Sequence, residues 1–155
     1  MQLTTYTDYC LRVLIYLGVN PDRRVTISEI AAAYGISQNH LMKVVNRLAQ
    51  GGYIDSRRGK KGGLKLALPA TEIGLGGLIR ESEPDFALVE CMQDNNACQI
   101  TPACHLQRLL RQALNAFHRE LDRYTLNDIL GTGRQLEQLL ARRSGPPDRA
   151  AGNRQ

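Results

Sequence analysis

Three of the four cysteines fall within 14 residues, in the run Cys91-Met-Gln-Asp-Asn-Asn-Ala-Cys98-Gln-Ile-Thr-Pro-Ala-Cys104. Six residues separate the first pair and five the second. Compact structural zinc sites place their cysteines about two to four residues apart, so that one turn of chain presents both sulfurs. Wider gaps wrap a larger object. An iron–sulfur cluster fits, because its irons sit at separate corners and each takes a thiolate. The polar Asp94-Asn95-Asn96 and the break at Pro102 allow such a loop. Cys104 stands at the head of a long helical pattern, where the positive end of the helix dipole favours the thiolate. Three cysteines leave a tetrahedral site one ligand short. His105, Asp94 and Glu90 are candidates within the segment, as is a residue elsewhere in a dimer. Spacing alone leaves open zinc on three Cys and one His, a redox disulfide, and inert buried thiols. Cys10 sits apart on an apolar helical face and reads as a core residue.

A second constellation lies upstream. Arg57-Arg58-Gly59-Lys60-Lys61-Gly62-Gly63 joins four cations to three glycines between two strand-like segments, Tyr53–Ser56 and Leu64–Ala67. Glycines permit a tight turn, and cations at its tip can reach phosphates or the minor groove. Taken alone, such a run is a solvated charged loop. What precedes it changes the reading. Thr26-Ile27-Ser28-Glu29 has the form of a capping box opening a short helix that Gly35 stops. Ser37 can then cap a second helix with apolar Leu41, Val44, Val45 and Leu48, ended by Gly51-Gly52. Two short helices around a glycine turn, followed by a cationic hairpin, form a winged helix-turn-helix. Base edges would be read from Gln38, Asn39, His40 and Lys43 at the exposed start of the recognition helix, with Asn39 foremost. Arg57, Arg58, Lys60 and Lys61 would hold phosphates or enter the minor groove.

The elements that position these groups follow from apolar periodicity. Cys10, Leu11, Val13, Leu14, Ile15 and Leu17 outline one face of a first helix over residues 7–17. Ile73, Leu75, Leu78 and Ile79 indicate a further short helix, weakened by Gly74, Gly76 and Gly77. From Cys104 or His105 to Leu121, the residues Leu106, Leu109, Leu110, Ala113, Leu114, Phe117 and Leu121 share one side of a long helix. Such a stripe reads as a dimer seam, because helix-turn-helix proteins commonly engage paired half-sites. Thr125 can cap a final short helix through Leu130. The expected fold is mainly α with a small β wing. Its expected parts are a winged helix-turn-helix domain over 1–82, a cluster-binding loop over 83–104, a dimerisation helix and short terminal helix over 105–130, and a flexible tail over 131–155.

Composition agrees. The 155 residues carry a net charge of +5. Residues 1–80 hold 11 Lys/Arg against 5 Asp/Glu, and the remainder 9 against 10. A basic N-terminal half joined to a near-neutral one suits a polyanion-binding module with something appended. No stretch approaches the ~18 apolar residues of a membrane span, and the start lacks a signal-peptide pattern, so a cytoplasmic location is expected. No catalytic constellation or phosphate-binding loop appears, so no enzyme is expected. A small electron-transfer protein would have no use for a cationic wing.

On these residues the chain resembles a known family. Met1-Gln2-Leu3-Thr4, Thr7-Asp8-Tyr9 with Leu11-Arg12 and Leu14-Ile15-Tyr16, Ser37-Gln38-Asn39-His40-Leu41, the wing Arg58–Gly63, the segment Cys98–Cys104 and Leu121–Leu126 are similar to the NsrR regulators. These form the nitric-oxide-sensing branch of a family of iron–sulfur winged-helix repressors that also contains the IscR regulators. The resemblance covers roughly residues 1–130. It implies a homodimer on a palindromic operator in double-stranded DNA, with Cys91, Cys98 and Cys104 as cluster ligands. It also implies Asp8 of the other subunit as fourth ligand to a [4Fe–4S] cluster, with [2Fe–2S] as the alternative form. IscR-type proteins use a His three positions beyond the third cysteine. Gln107 occupies that position here and cannot serve in the same way. Nitric oxide would lower operator affinity. The alternative within regulation is a sensor of iron or cluster supply, in which occupancy itself sets DNA affinity.

Overall fold

The computed structural model describes residues 2–59, 62–131 and 133–143. Lys60 and Lys61, named above as wing cations, and the tail from Ser144 onward lie outside these residues. The chain runs α1 (Thr5–Gly18), α2 (Ile27–Tyr34), α3 (Gln38–Gln50), β1 (Ile54–Arg57), β2 (Gly63–Leu66), α4 (Leu75–Ser82), α5 (His105–Leu121), α6 (Leu126–Leu130) and α7 (Arg134–Arg143). Short 3-10 turns at Ala70–Glu72, Glu90–Met92 and Thr101–Ala103 interrupt the connections. The fold is mainly helical with a small β wing, as the periodicity predicts.

Local signals place the helix ends. Thr26 and Glu29 close a reciprocal capping box at the start of α2, and Gly35 ends it at φ 68. Thr125 and Asp128 form a second box at α6. Ser37 holds the N-cap position of α3 but makes no side-chain cap bond, a departure from the expected role. Helix α1 begins earlier than its apolar stripe, because the Thr4 side chain accepts from Thr7 N at 3.3 Å. Thr4 is itself held from afar: its N–H and its hydroxyl both donate to Glu83 Oε1, at 2.7 and 3.1 Å.

Helix α1 forms the hub. Val13, Leu14 and Leu17 are buried against Ile30 of α2, Leu41 and Val44 of α3, Leu78 of α4 and Leu126 of α6. Cys10 belongs to this core at 1% exposure, as its position on the apolar face implies. The strands pair antiparallel, with Ile54 opposite Leu66 and Arg57 opposite Gly63. Val25 bridges to Leu64 through N···O bonds of 3.0 and 2.7 Å, which fastens the wing to the turn before α2.

Helix α7 corrects the expectation of a flexible tail from residue 131. It packs on α2, and Leu140 lies against the core. Among its described side chains, Leu136 and Leu140, one helical turn apart, are the partly buried ones.

The foot of α5 is anchored to α4. Leu75 N donates to Tyr124 O at 2.9 Å, Leu126 N to Ile73 O at 2.8 Å, and Arg80 Nη2 meets Asp122 Oδ1 at 2.6 Å. Gly76 makes this approach possible. A Cβ there would stand 2.0 Å from Asp122 Oδ1 and 3.0 Å from Asp122 N, whereas one on Gly77 would meet nothing within 4 Å. Gly76→Ala is therefore expected to destabilise the fold by about 1–3 kcal/mol through overpacking. Gly77→Ala should instead stabilise it by up to ~1 kcal/mol through helix propensity. Chemical denaturation of the two variants checks the pair, and equal midpoints would refute the contact.

Candidate nucleic-acid interface and cysteine loop

Helix α3 buries Leu41, Val44, Val45 and Leu48 and turns Gln38, Asn39, His40 and Lys43 to solvent. The four expected base-reading residues thus lie exposed on the first turns of one helix. Tyr9 of α1 joins them: its ring lies 6.5 Å from that of His40. Thr5, Tyr6, Tyr9, His40, Lys43 and Val44 together line a shallow concavity. Sequence reasoning missed Tyr9, since contact between α1 and α3 is set by tertiary packing.

The wing is braced from below. Arg24 donates to the Asp55 carboxylate and, at 3.1 Å, to Gly63 O. Arg57 Nε lies 3.1 Å from the same carboxylate. The Arg24 hydrogen bond holds the Asp55 carboxyl below its ordinary value, aided by both guanidinium charges. Arg57 is therefore a paired cation, although its side chain stays 69% exposed. Arg58 is exposed without an ion pair among the described residues. Gly59 turns the tip at φ 101, and Gly62 N closes it onto Gly59 O at 2.8 Å.

The cysteine loop joins α4 to α5. Cys91 lies in the turn Glu90–Met92, Cys98 before Thr101–Ala103, and Cys104 at the N-cap of α5. All three thiols are free and partly buried. Bonds within the loop shape it. Asn96 Oδ1 accepts from Cys98 N at 2.9 Å, its Nδ2 donates to Thr101 Oγ1 at 3.0 Å, and Thr101 Oγ1 donates to Cys98 O at 2.8 Å. Glu90 is occupied in accepting from Ala97 N at 3.1 Å. Asp94 and His105 are exposed. Gln107 Nε2 donates to the Cys91 carbonyl, so this side chain fastens the first cysteine to the first turn of α5.

The candidate donor set is soft and sulfur-rich, as an iron–sulfur group requires. Among the described residues, no three His, Cys, Asp or Glu side chains gather closely enough to hold a single metal ion. Among those residues a three-donor mononuclear site is thus not preassembled. Asp8 is placed in the first turn of α1, where it pairs with Arg12 at 2.9 Å. Arg12 in turn lies 5.5 Å over the Tyr34 ring of α2.

Helix α5 has an inner and an outer row. Leu110, Leu114, Phe117 and Leu121 are partly buried, and the Phe86 ring meets His118 edge-on at 4.5 Å. Leu106 and Leu109 remain 59% and 56% exposed, with Ala113 and Ala116 continuing the row outward. Their spacing of three, four and three residues is that of an a/d coiled-coil row.

Residues 3–132 match a family model described as Rrf2, iron-dependent transcriptional regulator. Among solved structures, a transcriptional regulator from Listeria innocua is 26% identical with a TM-score of 0.70, over 99% of this chain and 95% of that one. The oxidized form of Staphylococcus aureus CymR is 28% identical with a TM-score of 0.67, over 84% and 97%. T. potens IscR shares the fold at 22% identity and a TM-score of 0.67, over 88% and 91%. These matches carry family and fold, and the nitric-oxide-sensing branch is not singled out among them.

Proposed function

The chain belongs to the Rrf2 family of transcriptional regulators, and from that premise we propose that it is a dimeric, DNA-binding repressor controlled by an iron–sulfur cluster and released by nitric oxide. The observation that carries this reading is one juxtaposition. Three free, partly buried thiols occupy a single loop at the head of a helix whose outer row is an unpartnered apolar seam. Cys91, Cys98 and Cys104 would hold the cluster, with Asp8 from the second protomer completing a [4Fe–4S] set. When bound, the cluster supplies iron sites that coordinate nitric oxide.

The chain's own residues set the response. Gln107 fixes the Cys91 backbone to α5, so a change in the loop bears directly on the proposed seam. The ties between α5 and α4 then carry it toward α1 and α3. Two recognition helices must reach half-sites about 34 Å apart, so a small change in their relation lowers affinity. Gln38, Asn39, His40 and Lys43 would read bases. Arg57 and Arg58, with Lys60 and Lys61, would bind phosphates or the minor groove.

Anaerobic purification, with iron and sulfide content and an absorption spectrum, is expected to show a cluster that weakens in Asp8→Ala and disappears in Cys104→Ser. Nitric oxide titration should lower operator affinity in step with loss of the cluster spectrum. Unchanged affinity after complete reaction would overturn the nitric oxide reading. The description of the family as iron-dependent favours a second reading, a sensor of iron or cluster supply. Comparing apo and holo protein on DNA without nitric oxide separates the two. A difference confined to occupancy selects the supply sensor.

A further inference from the structure

Apart from the cysteine loop and the wing, the fold holds a cleft of about 310 Å³ between α1, α3 and α4. Its floor is apolar and neutral. Leu48 and Leu78 lie beside Cys10 and Tyr6. Burial pushes the Cys10 thiol up to about 11 and the Tyr6 phenol up to about 12, so neither is charged at neutral pH. The charges sit at the open rim. Arg47 comes from the last turn of α3, and Glu81 comes from α4, where it accepts from Tyr53 OH at 2.8 Å. Among the described residues no ion pair joins Arg47 to Glu81, although both line the same cleft.

An apolar floor under one cation and one anion, left unjoined, complements a small zwitterion. We propose that this cleft is an effector site for a free α-amino acid with an apolar side chain. The carboxylate pairs with Arg47, the ammonium with Glu81, and the side chain rests on Leu48 and Leu78. The volume lies at the small end for ligand sites, which suits a single amino acid rather than a nucleotide. Such a ligand would tie the end of the recognition helix to α4, and so couple occupancy to DNA affinity without using the cysteines.

The test uses the full chain and three probes: L-leucine, 4-methylpentanoate, which lacks the ammonium, and isopentylamine, which lacks the carboxylate. Leucine is expected to shift amide resonances of α1, α3 and α4 around the cleft and to change operator affinity severalfold. Each half-ligand should bind about tenfold or more weakly, since one charge-assisted pair is lost. Glu81→Gln should weaken leucine and isopentylamine but leave 4-methylpentanoate unchanged. Arg47→Met, which keeps the stem, should weaken leucine and 4-methylpentanoate but not isopentylamine. If leucine, L-phenylalanine and L-methionine all leave the spectrum unmoved at about 10 mM, the site is refuted. Binding that ignores both substitutions refutes it equally, and binding that leaves DNA affinity unchanged removes the effector role. None of these outcomes depends on a cluster, so they stand apart from the nitric oxide test.

Discussion

A chain carrying Leu106→Glu and Leu109→Glu together is expected to be monomeric and to bind its operator at least about a hundredfold more weakly. Both side chains are more than half exposed in the protomer, so charges there meet water and the fold keeps its stability. In the proposed dimer the same positions would meet across the seam with Ala113 and Ala116, and four carboxylates would be forced together. Burying each leucine across a seam is worth roughly 1.5–3 kcal/mol. Losing them removes the link between two DNA-binding domains, and linked binding exceeds single-site affinity by about 10²–10⁴. Sedimentation and operator titration read the two effects, with the unfolding midpoint as control. A variant that stays dimeric with an unchanged midpoint would show that the seam lies elsewhere.

The second large effect is expected from a methyl group in the wing. In Gly62→Ala the new Cβ would stand 2.3 Å from Arg57 O, 2.8 Å from Arg58 C and 2.9 Å from Gly59 O. These are backbone atoms of the opposite side of the turn, with no flexible side chain to give way. The tip must open, and the bond from Gly62 N to Gly59 O is lost. The pairing of Ile54 with Leu66 and the bridge from Val25 to Leu64 lie away from the turn, so global stability changes little. Affinity should fall about tenfold or more, and the salt dependence should flatten. Each lost phosphate contact removes about 0.9 from the slope of log K against log salt. An unchanged slope would show that the wing cations do not touch DNA phosphates.

Much of this architecture is legible in the sequence because its signals are local. The capping box of Thr26 and Glu29, the left-handed Gly35 and the start of α5 depend on neighbours within one helical turn. Features set by distant partners were not legible. Gly76 reads as a defect in α4 until Asp122, 46 residues on, is seen pressed against it. Arg57 reads as a free cation until Asp55 and Arg24 meet beside it. Ser37 has the right residue type for a cap, yet its side chain makes no cap bond. For the cysteine loop, spacing singled out three cysteines as candidate donors, but not the role of Gln107 in holding Cys91. The outer row of α5 is visible as periodicity. Only the packing of α5 on α4, with Phe86 set against His118, shows which leucines are left over.

The side-chain bonds of the cysteine loop close within it, or onto the first turn of α5 through Gln107. No side chain of residues 89–104 is hydrogen-bonded to the winged domain among the described residues. The segment is therefore an exchangeable part. Insertions, deletions or a different set of donor residues can be tried there by drift without breaking a side-chain bond of the winged domain. A single DNA-binding scaffold can in this way acquire new inputs by rewriting sixteen residues, provided that the anchor at the head of α5 is kept.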